Sequence, residues 1–508
     1  MIVTEDSTIA ETWEASPDER GWAIPRRRLL PAAAARTCAW QCGLILALFS
    51  GVLLFTRLDY PLLEPDESRY AAIPLIMLQD GDWIVPHHQG KAYNDKPPLT
   101  YWLVALSYRL FGVHEWAARL IPALAAWLTI LAVYAWSCRW FGWRVAFLCA
   151  SVLATLGGFI VMGRMLLLDG VLTLSVTLAL GAGHMALARP RLHWGWWLAS
   201  SVCAGLGILT KGPVALVLVV PCLAAYRWLD CRSVRWRIGH WLAYALVAAA
   251  IALPWYVAVM QRSENFADEF FWRHHLMRFL QPFHHLRPWW FYVPVLFAEL
   301  LPWTVVLAIG LWGFCRRRAT GTLPVPVALR FCAITAVWCL FFFSVSACKL
   351  PTYLMPMLPS TAVLIGHYLY RARLSGLWLG CATLSTAVLA GGLWWAMPCY
   401  ADRTSVGVPA ARLAAIADEL EIPVIAYRDD WDAATFYRGG RELPIFPHGD
   451  SAALIAQLRQ RPKTLVLVRQ NSTQRAGELR AMLPPDLLVV GEYQADRAVG
   501  LLIQSQGG

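Results

Sequence analysis

Charge is what this sequence has least of. Only 15% of its 508 residues are Asp, Glu, Lys or Arg, well below the share an ordinary soluble domain carries. It has no Cys-x-x-Cys pair, and its 13 cysteines are scattered, mostly inside apolar runs. That argues against a zinc-ribbon or disulfide framework and leaves them as small buried hydrophobes. No glycine-rich loop of the nucleotide-binding kind is present, and neither an internal repeat nor a low-complexity tract is evident. The net charge of +11 is not read as a nucleic-acid footprint, because Lys and Arg excess in a membrane protein reports orientation.

What the chain has in quantity is apolar: 58% of it is hydrophobic, with 27 Trp. Eleven long apolar runs are expected to be spanning helices, near 39–56, 119–137, 144–163, 168–187, 196–210, 213–229, 240–260, 291–313, 328–347, 352–370 and 375–397. The expected fold is therefore an all-α polytopic membrane protein. One further stretch, "LTYWLVALSYRLFG", is too short to cross and carries Arg109, so it should lie in the interface as a helix. Residues 1–38 run from acidic to basic without a small-residue cleavage signature, and are expected to be a cytoplasmic tail before an uncleaved first span.

Charge sets the sidedness. With Arg26, Arg27 and Arg28 in the cytoplasm, alternation puts Arg139/Arg144, Arg189/Arg191, the Arg227–Arg237 cluster, Arg316–Arg318 and Arg371/Arg373 on the same side. The other face receives the loops 57–118 and 261–290, Asp169, Lys211, the "KLPTY" turn at 349–353 and the segment 400–508. That last segment alternates short β-like runs ("IPVIAY", "TLVLV", "LLVVG", "VGLLIQ") with helix-like stretches, and is expected to form a small outer α/β domain. Residues 39–399 form the membrane domain.

The outer face also holds the chemistry. "EPDESRYA" supplies Glu64, Asp66, Glu67, Arg69 and Tyr70, and the rest of the first loop adds Lys91, Asp95 and Lys96. Asp169 opens a span. Lys211, Arg273, Arg278, Lys349 and Tyr353 follow. Such groups could simply anchor one another and fix packing. Packing does not require that acids and cations from five segments share one side, whereas a cavity does. Cations beside a phenol at a membrane suit a lipid phosphate, and carboxylates suit sugar hydroxyls, an amine, a proton or a metal. The pairs His87/His88, His274/His275 and His284/His285 together with Asp95 have the chemistry of zinc ligands and equally that of interfacial polar residues. No cofactor is required by the sequence.

At this point a resemblance enters. "PDESRYA", "GDWIVPH", "DKPPLTYW", "LTKGP", "LPWYVAVMQRSENFADEFFWRHHLMRFL", "PWWFYVPVLFAELLPW" and "KLPTYLMP" resemble the bacterial aminoarabinose transferases of lipid A. These belong to the GT-C glycosyltransferases, alongside the protein O-mannosyltransferases. The resemblance runs from about residue 57 to residue 370. It implies about thirteen spans, and transfer of 4-amino-4-deoxy-L-arabinose from undecaprenyl phosphate to a lipid A phosphate at the periplasmic face of the inner membrane. It further implies that Asp66 and Asp169 are essential acids, that Lys96, Arg278 and Tyr353 hold the lipid phosphate, and that Tyr70 lines the cavity. Glu67 and Lys211 are taken as further substrate-side groups, and Lys96 as catalytic too. The family can bind zinc near the first loop, which makes Asp95, His274 and His275 metal candidates. Asp95 stands where a Glu is common in the family. The expected partners are the lipid-linked sugar donor, lipid A and membrane lipids, with no nucleic acid and a monomeric chain. The competing readings are another sugar, a protein or polysaccharide acceptor, or a transporter of a lipid-linked sugar. Transporters tend to show repeats and mid-membrane charges.

Overall fold

The computed structural model describes residues 32–189, 191–229, 237–280, 285–319, 325–428, 431–446, 450–469 and 473–506. Most of the expected cytoplasmic tail lies outside the described residues, as do His284 and the middle of the Arg227–Arg237 cluster.

All eleven apolar runs are helical. Among the described residues, six helices are long and apolar enough to cross a membrane: Ala33–Phe55, Glu115–Phe141, Leu168–Leu187, Ile238–Arg262, Val327–Val345 and Ser375–Thr404. Several leave large side chains exposed, among them Leu44, Ile45 and Leu48 on the first and Leu242, Leu246 and Leu253 on the fourth. A helix whose outer face is solvated by lipid needs no polar coat. The chain is an integral membrane protein.

Two expected spans are not single rods. Trp143–Ala154 and Gly157–Arg164 meet at 61°, and Trp289–Glu299 and Thr304–Gly313 meet at 111°. The run expected to cross at 291–313 is therefore broken, at "LLPW", where Pro302 has no N–H to continue the helix. The two breaks nest. Gly157 N–H donates to Leu301 O at 3.3 Å, and a Cβ on Gly158 would stand 2.7 Å from Glu299. The 352–370 run likewise starts as a 3-10 turn, Pro351–Met357, before Leu358–Arg371 continues as α-helix. Closely spaced prolines favour that tighter turn. Val214–Leu229 is only 16 residues long.

The first loop is structured throughout. It carries the helix Asp66–Asp80, an antiparallel hairpin of β1 (His87–His88) and β2 (Lys91–Ala92), and the expected interfacial helix Leu99–Phe111. Two buried arginines fasten it to the bundle. Arg164 donates to the carbonyls of Thr56 and Arg57 at 2.7 and 2.8 Å, just past the first span, where helix carbonyls lack partners. Arg119 donates to Leu58 O at 2.9 Å and Pro61 O at 3.0 Å and pairs with Glu67 at 2.7 Å. Its guanidinium also stacks on the Tyr60 ring at 3.7 Å.

The C-terminal region contains a five-stranded sheet. Its strands are β3 (Val424–Tyr427), β4 (Ile445–Phe446), β5 (Lys463–Arg469), β6 (Leu487–Ala495) and β7 (Ala498–Ser505), in the order β4-β3-β5-β7-β6. β3 is parallel to β4 and β5, and β7 is antiparallel to β5 and β6. The helix Gly407–Glu419 covers one face and Ser451–Arg459 the other, which is why β3 and β5 read as unbroken apolar runs. β4 is too short to have been visible.

Candidate functional site

The site grows from helix ends. Asp169 lies in the first turn of Leu168–Leu187 and Lys211 in the last turn of the antiparallel Trp194–Lys211. Each charge sits where the helix dipole favours it, and the two meet at 2.6 Å. The Lys211 ammonium also stands 4.5 Å from the centre of the Tyr353 ring, a cation–π contact. The Tyr353 hydroxyl lies 3.8 Å from Cys348 Sγ, to which Arg278 Nε donates at 3.5 Å. Lys96 is half-buried beside these groups, its Nζ donating to Asp95 O at 3.2 Å. Its ammonium is held down to about 8 by burial and by Arg278 and Lys211, while Asp95 and Asp169 pull the other way. Lys96, Lys211, Arg278, Asp169 and Tyr353, drawn from five parts of the chain, thus face one another.

Segment 268–277, wound as a π-helix, stitches this cluster together. His274 Nε2 meets Asp95 Oδ1 at 2.8 Å. Burial raises the Asp95 carboxyl, but His274, Lys96 and Arg278 outweigh it and hold it below the ordinary value. His275 points the other way, with Nδ1 2.6 Å from Phe270 O and Nε2 3.3 Å from Lys211 O. Gly212 makes that contact fit. Its φ is +83°, and a Cβ there would sit 2.5 Å from His275 Nε2. Of the three residues expected to bind a metal, Asp95 and His274 bond each other and His275 faces backbone carbonyls. No group of three metal-ligating side chains exists among the described residues, and a closed zinc site needs about four ligands.

The first-loop acids divide. Asp66, in the first turn of its helix, is half-exposed and lies 3.8 Å from Arg69. Tyr70, one turn on, is buried against Tyr101 at 6.1 Å. Burial pushes its phenol well above the usual range, and the charges of Asp66 and Asp169 add to this. Glu67 does not belong with them. It was expected on the substrate side, and here it is buried with Arg119 and accepts from Leu63 N at 3.0 Å and Leu166 N at 2.8 Å. Lys349 also turns inward, onto the carbonyls of Arg287 and Ser346.

Two residues escaped the sequence reading. Cys348 looked like one more buried thiol among 13, yet it lies between Arg278 and Tyr353. Asp432, in the C-terminal region, is buried against Arg69 and His88 at 3.2 and 3.1 Å. Nothing local in the sequence marks either one.

Known proteins resemble this chain in both sequence and fold. Residues 95–257 match the family model described as dolichyl-phosphate-mannose-protein mannosyltransferase. An undecaprenyl phosphate-alpha-4-amino-4-deoxy-L-arabinose arabinosyl transferase of Pseudomonas aeruginosa is 37% identical over 367 residues, covering 69% of this chain and 65% of that relative. The chain thus matches somewhat less than two thirds of that relative's length. The fold is close to that of ArnT from Cupriavidus metallidurans. The structure bound to undecaprenyl phosphate gives a TM-score of 0.69 at 23% identity, covering 93% of this chain and 98% of that one. The apo structure gives 0.72 at 24% identity, covering 92% and 98%. The chain is thus similar in sequence to these arabinosyl transferases and shares the fold of the ArnT structures.

Proposed function

We propose that the chain is a glycosyltransferase that moves 4-amino-4-deoxy-L-arabinose from undecaprenyl phosphate to a lipid A phosphate, at the periplasmic face of the bacterial inner membrane. The observation that carries this is the convergence of Lys96, Lys211 and Arg278 with Tyr353 at the ends of apolar helices. Their charge exceeds that of Asp169 and Asp95, which suits an anion with an apolar tail. The names of the relatives support the donor and the sugar.

In this reading Lys96, Arg278 and Tyr353 hold the donor phosphate. As the bond from the sugar C1 to the phosphate oxygen breaks, its electron pair goes to that oxygen. Fixed cations stabilise the developing charge without reorganising. Lys211 is held by Asp169, which keeps the ammonium in place for this task. The acceptor phosphate is already anionic and needs no general base, so Asp66 orients the sugar and pairs with its ammonium group. Its half-exposed position at the mouth suits a group that meets a substrate arriving from outside.

A second reading has the same donor site serving another sugar or a protein or polysaccharide acceptor. The match of residues 95–257 to a protein mannosyltransferase family favours keeping it. A hydroxyl acceptor would make Asp66 the base.

Lipid A mass spectrometry separates these. A transferase-deficient Gram-negative strain supplied with the lipid-linked aminosugar is expected to gain an aminopentose mass with this chain and not with Asp66→Ala. No added mass despite membrane expression would overturn the first reading, and a fully active Asp66→Ala would remove Asp66 from it.

A further inference from the structure

We propose that Asp432 is a positioning residue of the transfer site, acting through Arg69 to keep Asp66 free for substrate. This rests on the function proposed above and extends the site to the C-terminal domain.

Asp432 begins the short helix Asp432–Tyr437, far along the chain from the other acids. Its side chain is 1% exposed. Oδ2 accepts from Arg69 Nε at 3.2 Å, and Oδ1 accepts from Gln89 Nε2 at 3.2 Å and lies 3.1 Å from His88 Nε2. All three partners belong to the first loop. A carboxylate buried this deeply is kept only where it is paired, and here its pairing is entirely with the part of the chain that carries Asp66.

Docking alone does not call for that carboxylate. Other contacts already fasten the domain to the first loop. Phe436 packs on Tyr108 with ring centres 6.2 Å apart, Leu62 N donates to the Tyr437 hydroxyl at 3.0 Å, and Gln79 Nε2 donates to Gly439 O at 2.6 Å. Arg469 pairs with Glu64, and Glu442 accepts from Gln89 N. What Asp432 adds is direction. It claims the Nε edge of Arg69, leaving Nη1 at 3.8 Å from Asp66 Oδ1, within Coulomb reach but beyond a normal hydrogen bond. Arg69 also faces Tyr93, two residues before Asp95. One guanidinium is thereby fixed from two sides and prevented from closing on Asp66. Released from Asp432, it could take Asp66 as a forked partner and withdraw that carboxylate from the sugar.

The test uses the full-length protein purified in detergent, with undecaprenyl-phosphate-linked aminoarabinose and lipid A, and product read by mass spectrometry. Asp432→Asn is expected to lower kcat at least 10-fold with donor KM within 3-fold of wild type, because the Lys96–Arg278–Tyr353 cluster is untouched. Adding Arg69→Gln to Asp432→Asn removes the competitor and is expected to restore kcat at least 3-fold over Asp432→Asn alone. A merely structural contact would predict no such rescue. Gln79→Ala, which removes a docking contact only, is expected to keep wild-type kcat. If Asp432→Asn fails to fold, Asp432→Glu is measured in the same way and is expected to lose kcat with donor KM unchanged. Wild-type kcat in the Asp432 variant, or a double variant no better than the single, overturns the proposal while leaving the function standing. A folded wild type with no transfer overturns the function reading itself, and this proposal with it.

Discussion

Asp66 and Glu67 are neighbours in opposite surroundings, one half-exposed and the other buried, and their variants should separate cleanly. Glu67 is 1% exposed and satisfies Arg119. Glu67→Ala leaves a buried guanidinium without its counter-charge, a loss of about 3–5 kcal/mol. It is expected to lower Tm and membrane yield together. Asp66→Ala, half-exposed, is expected to keep Tm within a degree or two of wild type while transfer disappears. Equal Tm values for the two variants would contradict the division. Lys96 gives a pH signature. In the free protein its ammonium is held down to about 8, by burial first and then by Arg278 and Lys211. It is charged at neutral pH and loses its proton as pH rises through that value, so donor KM should climb above pH 8. Lys96→Arg stays protonated throughout and should flatten the climb, whatever its KM at pH 7. An unchanged climb in that variant would assign the effect to another group. At this scale the sequence showed which residue types gather but not which of them are used up. "PDESRYA" offers no local sign that Glu67 faces Arg119, 52 positions away.

At the scale of elements, hydropathy located every apolar helix, because lipid imposes one requirement along a whole run. It missed the breaks, which depend on what the other chain segment offers. The bend after Glu299 works because Gly158 leaves room there and Gly157 N–H finds Leu301 O. The helix Asp66–Asp80 was missed for another reason. Its 15 residues mix acids, Arg and a central Pro74, and its stability comes from packing on Tyr101 and Tyr108 rather than from its own pattern. The link between Lys211 and the π-helix shows an element-level dependence that can be tested. Gly212→Ala forces a Cβ onto a φ of +83° and against His275. The backbone cost alone is about 1–2 kcal/mol, and the clash displaces the ring that accompanies Lys211. The expected outcome is a kcat loss of 10-fold or more with a Tm lowered by several degrees. Gly239→Ala, where an added Cβ meets nothing within 4 Å, is the control expected to match wild type. Wild-type kcat in Gly212→Ala would show that the π-helix does not steer Lys211.

For the whole molecule, sidedness turns on which charges stand at which helix ends. Leu168–Leu187 begins at Asp169 and ends beside Arg189, and Trp194–Lys211 runs back to Lys211. Acids and lysines of the site therefore share one end of this helix pair and the arginines hold the other. The α/β character of the C-terminal segment was legible because β3, β5, β6 and β7 each announced themselves as apolar runs. Its attachment was not, since Asp432, Phe436 and Tyr437 carry no pattern that names their partners in the first loop. Orientation follows from the two facts together. Arginine-rich ends are retained in the cytoplasm, so the site, and the domain bonded to it through Arg69 and His88, should face the periplasm. A periplasm-active phosphatase fused after Gly508 is expected to be active, and the same reporter fused after Arg189 inactive. The opposite pattern would invert the topology. It would also place the Lys96–Arg278–Tyr353 cluster in the cytoplasm, where a transfer onto lipid A at the outer leaflet could not take place.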